Sequence, residues 1–288
     1  MVLIGLSSSY YAFKGKSIYF SVKSVRDQGF NLCELGAAHA FEPNVWDIIK
    51  RTKKDFPDID YSVHGFFPPM EKRFWFNPSL GMTSENKKVI DGLFRTAEIT
   101  EAVAVGIHPG FLGGVALITG RNELSLPKKT SAIPKEKALS KLFTVLRVCS
   151  KKAKDLGIKF VIENIGCSPV EPLVYSAQDF REVFTEFPDT GLLLDLGHAL
   201  YCDNLDDLLE LHSQIMEVHI HFSHLSSGSL RIDEHLPIPD DFNFKKLAKI
   251  EQLSRIPLVF EHGSNVSEQE IIEEKKLLEK FLRQHGAL

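Results

Sequence analysis

Cysteine is sparse in this chain and never clustered. Cys33, Cys149, Cys167 and Cys202 are widely spaced and form no C-x-x-C pair, which removes the motif-borne redox and zinc sites built on that spacing. Reduced, mostly buried thiols in a cytoplasmic protein are the expectation. Long apolar runs are missing too: none approaches the ~18 residues of a membrane span. The opening MVLIGLSS has neither a charged n-region nor a long apolar h-region, so no signal peptide is expected. A basic excess is absent. The net charge of −4 and pI near 6.3 argue against a strongly basic nucleic-acid binder, while leaving room for a local basic face. No G-x-G-x-x-G follows a strand pattern, and the phosphate-loop motif G-x-x-x-x-G-K-[S/T] does not occur. No linker or low-complexity segment divides the chain, so residues 1–288 are read as one domain.

With 43% hydrophobic residues among 288, the chain can bury a full core. Apolar strand patterns recur at Val2–Leu6, Asn31–Leu35, Tyr61–Phe67, Val103–Ile107, Lys159–Glu163, Gly191–Asp195, Ile215–Phe222 and Pro257–Glu261. Helical patterns separate them, from Ser17 to Arg26, from Pro43 to about Lys54, from a Ser84 cap to about Ala102, and from Pro134 to a stop at Gly157. Ser176 caps another, Leu205–Leu211 and Asn243–Leu253 supply two more, and Ser267 to Glu270 is a capping box for the last. The segment after the fourth strand reads as roughly two dozen irregular residues, longer than an ordinary βα turn and so a candidate lid or binding loop. Several strands are continuous apolar runs, as expected when both faces are buried. Eight βα units in this length predict a closed (β/α)₈ TIM barrel.

Polar residues collect where such a barrel places its chemistry. His64, His108, Glu163, Asp195, His219 and Glu261 each fall at or near the C-terminal end of a predicted strand, and those ends share one face. His198 follows Asp195 in the next turn, and Asp233 and His235 come from the loop after strand seven. Charged groups ending apolar strands are poor core material. Neutral imidazoles and carboxylates together suit Zn²⁺ or a similar divalent ion such as Mn²⁺. His219 and His221 alternate along one strand and face the same side, so one can be a ligand and the other can orient it. His39, His212 and His285 read as surface or loop residues.

These pieces carry a resemblance. His64, His108-Pro109-Gly110, Ile162-Glu163-Asn164, Leu194-Asp195-Leu196-Gly197-His198-Ala199, His219, Asp233-Glu234-His235 and Phe260-Glu261 are similar to the motifs of the xylose-isomerase-like barrels that include endonuclease IV, the abasic-site nuclease. The resemblance implies a trinuclear zinc site. His64 and His108 would hold one ion, Glu163 would bridge to a second completed by Asp195, His219 and Glu261, and His198, Asp233 and His235 would hold the third. The chain departs from the nuclease pattern in three places: its first strand reads Gly5-Leu6-Ser7-Ser8-Ser9, without a histidine; Ile220-His221-Phe222-Ser223 replaces an Asn-Asp pair after the strand-seven histidine; and Leu236-Pro237-Ile238-Pro239 follows Asp233-Glu234-His235 without the usual glycines. The run Asp233-Glu234-His235-Leu236-Pro237 is closer to sugar-isomerase-like members.

Two activities follow. One is phosphoester hydrolysis, with Glu261 or Glu163 positioning the nucleophile and abasic-site DNA as the implied substrate. The aromatic loop Phe66–Phe76 would then stack on a base or, alternatively, fold onto the barrel rim, and Lys72, Arg73, Arg121, Lys128 and Lys129 would either meet phosphates or be solvated charge. The other is isomerisation or epimerisation of a small sugar or sugar phosphate at one ion held by Glu163, Asp195, His219 and Glu261. No membrane or protein partner is expected.

Overall fold

The computed structural model describes residues 2–72, 75–119, 125–166, 170–223, 234–239, 242, 244–286 and 288. Eight parallel strands close into a barrel: β1 (Leu3–Ser7), β2 (Leu32–Leu35), β3 (Asp60–His64), β4 (Ala104–Ile107), β5 (Lys159–Glu163), β6 (Thr190–Asp195), β7 (Ile215–Ile220) and β8 (Pro257–Phe260). Each pairs with its neighbours in sequence, and β1 meets β8 through Leu3 to Leu6 against Pro257 to Phe260.

Strand alternation divides the side chains. Outward residues such as Val105, Phe160, Ile162, Leu192, Leu194, Val218, Leu258 and Phe260 are buried in one apolar cluster with the helices. Each such side chain contributes ~1.5–3 kcal/mol by leaving water. The opposite set faces the barrel axis and includes Glu34, Ser62, His64, Glu163, Asp195, Glu217 and His219, all buried. The TIM barrel therefore carries a polar interior inside an apolar sleeve.

Local signals set most helix ends. Ser17 caps Ile18–Asp27, and capping boxes at Ser176 and Ser267 open Ala177–Glu186 and Glu268–Gln284. Gly157 ends Lys135–Leu156 at φ +68, a conformation glycine adopts without a Cβ penalty. Four expectations need correction. The helix expected from Pro43 begins at Val45 after an Asn44 cap, and Thr83 rather than Ser84 caps Ser84–Thr100. The segment after β4 contains an antiparallel hairpin, Val115–Thr119 against Ser125–Lys129. Between β7 and β8 there is no α-helix among the described residues: Phe244–Lys249 and Leu253–Arg255 are 3-10 turns. A short helix, Leu196–Tyr201, also follows β6 directly, capped by the Asp195 side chain.

Cys33 and Cys149 are buried and free, as expected, and burial pushes both thiols up beyond the usual range. Cys202 is disulfide-bonded instead, and Cys167 lies outside the described residues. A cytoplasmic location thus draws no support from cysteine. No helix among the described residues is long and apolar enough to cross a membrane.

The last helix is tied to the rim by a buried pair, Glu274 with His262 at 2.7 Å. The other Glu274 oxygen accepts from the Ile238 N–H at 2.6 Å. Removing one partner strands the other in an apolar setting, so Glu274→Ala should lower unfolding stability by about 3 kcal/mol or more. Urea denaturation of the variant tests this, and an unchanged midpoint would show that the pair is dispensable.

Candidate metal centre

Glu163 is the hub of the barrel mouth. One of its oxygens lies 2.8 Å from His64 Nε2 and 2.8 Å from His108 Nε2. The other lies 3.3 Å from His198 Nδ1 and 3.9 Å from His219 Nδ1. The same His219 nitrogen is 3.1 Å from Glu261 and 3.7 Å from Asp195. Register explains part of this convergence, since Asp195 pairs directly with His219, and His64 with Gly106. Gly106 makes room for the imidazole: a Cβ there would stand 2.7 Å from His64 Cδ2.

Among the described residues five groups of candidate ligand atoms result, each spanning no more than 4.8 Å: His64, His108 and Glu163; Glu163, Asp195, His219 and Glu261; His198, His221 and His235; Glu34, Glu217 and His219; and Glu34, His64 and Glu261. Eight of the nine residues expected from sequence are thereby brought together. The ninth, Asp233, lies outside the described residues. Of the two strand-seven histidines, His219 lies in the second group and His221 in the third.

The donors fit divalent ions. His64 Nε2, Glu163 Oε2 and His219 Nδ1 are buried and make no hydrogen bond, although buried polar atoms are normally satisfied. Imidazole nitrogens and carboxylate oxygens converging in this way form the ligand set of Zn²⁺. Without an ion the charges lean on one another. Burial works against ionisation of Glu163 and Asp195, yet the surrounding histidines hold both carboxyls well below the usual range. Burial opposes charge on Glu261 as well, but His219 and His235 bring it to about 2.

The distal ring nitrogens are also engaged. His219 Nε2 donates to Glu34 at 2.7 Å, His198 Nδ1 to the Asn164 carbonyl at 2.9 Å, and His235 Nδ1 to the Glu261 carbonyl at 2.6 Å. Such bonds fix ring orientation and present the opposite nitrogen to a metal. The His235 loop is held by reciprocal backbone bonds between Phe222 and Leu236 at 2.8 and 2.7 Å, and by Gly263 N–H on the His235 carbonyl at 3.0 Å.

Three buried groups escape the sequence reading. Glu34 sits within the apolar stretch LCEL, and Glu217 opens the histidine strand; both are at most 1% exposed. Burial, then the charge of Glu34, raises the Glu217 carboxyl to about 7. Their signal was a carboxylate placed inside an apolar strand, which needs a partner. His39, expected at the surface or in a loop, is buried and bonds Ser8 Oγ at 3.0 Å, and burial lowers it to about 4.

The aromatic loop folds onto the rim. Phe67 and Phe76 are buried in the core, and half-buried Phe66 packs against Trp75 at 5.2 Å and His108 at 6.0 Å. Phe67 and Phe76 are thus not available to stack on a base. Lys72 is exposed, Arg73, Phe74 and Arg121 lie outside the described residues, and Lys128 and Lys129 fall on the hairpin.

The sequence pattern of xylose isomerase-like TIM barrels matches residues 22–280. The chain belongs to this family. Part of it is 29% identical over 128 residues to the uncharacterized protein MJ1614 of Methanocaldococcus jannaschii, a match covering 43% of this chain and 48%, about half, of that protein. The barrel superimposes on a D-tagatose 3-epimerase-like protein with TM-score 0.72 and 19% identity, covering 99% of this chain and 98% of that one. It also superimposes on an AP endonuclease, family 2, from Brucella melitensis with TM-score 0.67 and 16% identity, covering 94% and 96%. At these identities the likeness shows the fold. Solved structures that share this barrel thus include a D-tagatose 3-epimerase-like protein and an AP endonuclease, family 2.

Metal loading of this barrel should depend on pH. Burial opposes charge on His64, yet Glu163 holds its pKa up to about 9 in the metal-free protein. That contribution to stability is full below about 6.5 and is lost as pH rises through about 9. Zinc needs the deprotonated ring, so its own stabilising effect grows over the same window. The Tm difference between zinc-loaded and metal-free protein should therefore widen from pH 6.5 to about 9. A constant difference in thermal melts would rule out ligation by His64.

Proposed function

We propose that this protein is a metal-dependent phosphoester hydrolase of the endonuclease IV type, with Zn²⁺ as its ion and Mn²⁺ as a substitute. The observation that carries the reading is the sharing of Glu163 between the His64–His108 pair and the Asp195, His219 and Glu261 group. A one-ion isomerase needs only the second group as ligands, with His198 orienting substrate; His64, His108 and His235 would not be needed as ligands. When bound, the divalent ions supply Lewis acidity that activates water near neutral pH and offsets phosphate charge.

The chain's own groups divide the work by exposure. Glu163, with a side chain 1% exposed and four histidines around it, holds and bridges. Glu261 keeps 17% of its side chain exposed at the mouth, so it orients the attacking water and accepts its proton. His108 and His235, the more exposed histidines at 18% and 26%, border the space where the phosphoester sits. Abasic-site DNA is the substrate to test first, and a small sugar phosphate is the alternative ester.

A second reading has its own support. Glu163, Asp195, His219 and Glu261 form a complete one-ion set by themselves, and a D-tagatose 3-epimerase-like protein shares the barrel. There, Glu163 and Glu261 would move a proton on and off a sugar carbon.

The deciding assay is nicking of a duplex carrying one abasic-site analogue by zinc- or manganese-loaded protein. The wild type should nick, and Glu261→Gln should lose about 10²–10⁴-fold in rate while remaining folded. Equal rates would remove Glu261 from the chemistry. No nicking by the loaded wild type, together with turnover of a ketose, would replace hydrolysis by epimerisation.

A further inference from the structure

The run Ser7-Ser8-Ser9 closes β1 and supplies none of the candidate ligands at the mouth. We infer that Ser7, Ser9 and Glu34 form a separate cation site at the ends of β1 and β2, and that it takes a monovalent alkali ion, Na⁺ or K⁺. The inference holds whichever chemistry the mouth performs.

Three oxygens converge on one point. A Cβ on Gly36 would stand 2.5 Å from Ser9 Oγ, 2.8 Å from Ser7 Oγ and 3.4 Å from Glu34 Oε1. Gly36 thus leaves open a cradle that another side chain would fill. Ser7 and Glu34 are fully buried, and Ser9 is 4% exposed. Ser7 Oγ and Glu34 Oε1 make no hydrogen bond, although buried polar atoms are normally satisfied. Ser9 Oγ donates to the Ala37 carbonyl at 3.1 Å, which leaves its lone pairs for an ion. Backbone bonds hold this frame. Ser7 pairs with Glu34 in the parallel ladder, the Ser8 N–H donates to the Glu34 carbonyl at 2.8 Å, and the Gly36 N–H donates to Ser8 Oγ at 3.2 Å.

Donor chemistry selects the ion. A buried carboxylate oxygen with neither a donor nor a cation is costly. The three donors are all oxygen, whereas zinc is most at home with nitrogen and sulfur. Mg²⁺ sheds its water reluctantly, and Ca²⁺ takes about six to eight oxygens. An enclosed cradle of one carboxylate and two hydroxyls suits neither, and a single positive charge matches its single carboxylate. The other Glu34 oxygen accepts from His219 Nε2 at 2.7 Å. Glu34 would therefore join the alkali ion to a ligand of the metal centre.

Thermal melts of the full chain, at fixed excess zinc and fixed ionic strength, test the site with Na⁺, K⁺ or choline as the sole monovalent cation. Choline is too large for the cradle. Na⁺ or K⁺ should raise the wild-type Tm over choline by about 2–4 °C or more. Ser7→Ala removes one oxygen, and Gly36→Ala fills the cradle. Neither residue is a ligand at the mouth, and both variants should lose the rise. Where Gly36→Ala fails to fold, Ser7→Ala decides. Equal wild-type Tm in all three salts leaves only a buried water at this place and overturns the inference. A rise kept in full by Ser7→Ala puts the ion elsewhere and overturns it too.

Discussion

Burial strips a carboxylate of most of its solvation, and this barrel carries Glu34, Glu163, Asp195 and Glu217 at 1% exposure or less. Leaving such carboxylates ionised and unpaired would cost more than the ~5–15 kcal/mol by which a domain is stable. Positive counterparts are therefore a condition of the fold as well as of function. In the metal-free protein the histidines provide them: burial disfavours charge on His64 and His219, but Glu163 for the first and Glu34 for the second hold those rings protonated above their ordinary range. Glu217 meets the same constraint by the opposite route, keeping its proton up to about 7 because burial and Glu34 both penalise its charge. A divalent ion held there would compete with protons for the same set of atoms.

The constraint also explains where small residues stand. The glycines in question free space for imidazoles: Gly106 beside His64, and Gly197 beside His221. Ring orientation is then fixed from behind, by Glu34 on His219 and by the carbonyls of Asn164 and Glu261 on His198 and His235. Most of these anchors come from strand ends or from backbone that the barrel already positions. The His235 loop is the exception. It is fixed by its bridge to Phe222 and by Glu274 of the last helix, which reaches Ile238.

The barrel and most of its rim were legible because strand-end chemistry is written locally. A histidine or carboxylate closing an apolar run marks itself, and His64, Glu163 and Asp195 each do so. Glu34 and Glu217 were not legible as site residues for the same reason in reverse. Each sits inside an apolar strand, where sequence shows an anomaly but not the neighbour that resolves it; the partner of Glu34 is 185 residues away at His219. His39 was missed because its burial is tertiary: Ser8 at the end of β1 and Phe67 after β3 enclose it. The turns after β7 read as a helix because apolar spacing cannot separate a 3-10 turn from an α-helix over so few residues.

Which chemistry the mouth performs turns on how many cations it requires, and the histidines bear on that more directly than the four residues an isomerase would use. A lone ion in the Glu163, Asp195, His219 and Glu261 set leaves His64 and His108 both pressed against one Glu163 oxygen at 2.8 Å. Proton-bearing rings there would draw Glu163 charge away from that ion and weaken it as a Lewis acid. A second ion reverses the sign of this effect, because His64 and His108 become donors to a cation and Glu163 divides its two oxygens between neighbours. Each added ion would relieve a crowding that a one-ion mouth would have to tolerate, and the proposed phosphoester chemistry rests on this electrostatic economy more than on likeness to any neighbour of the fold.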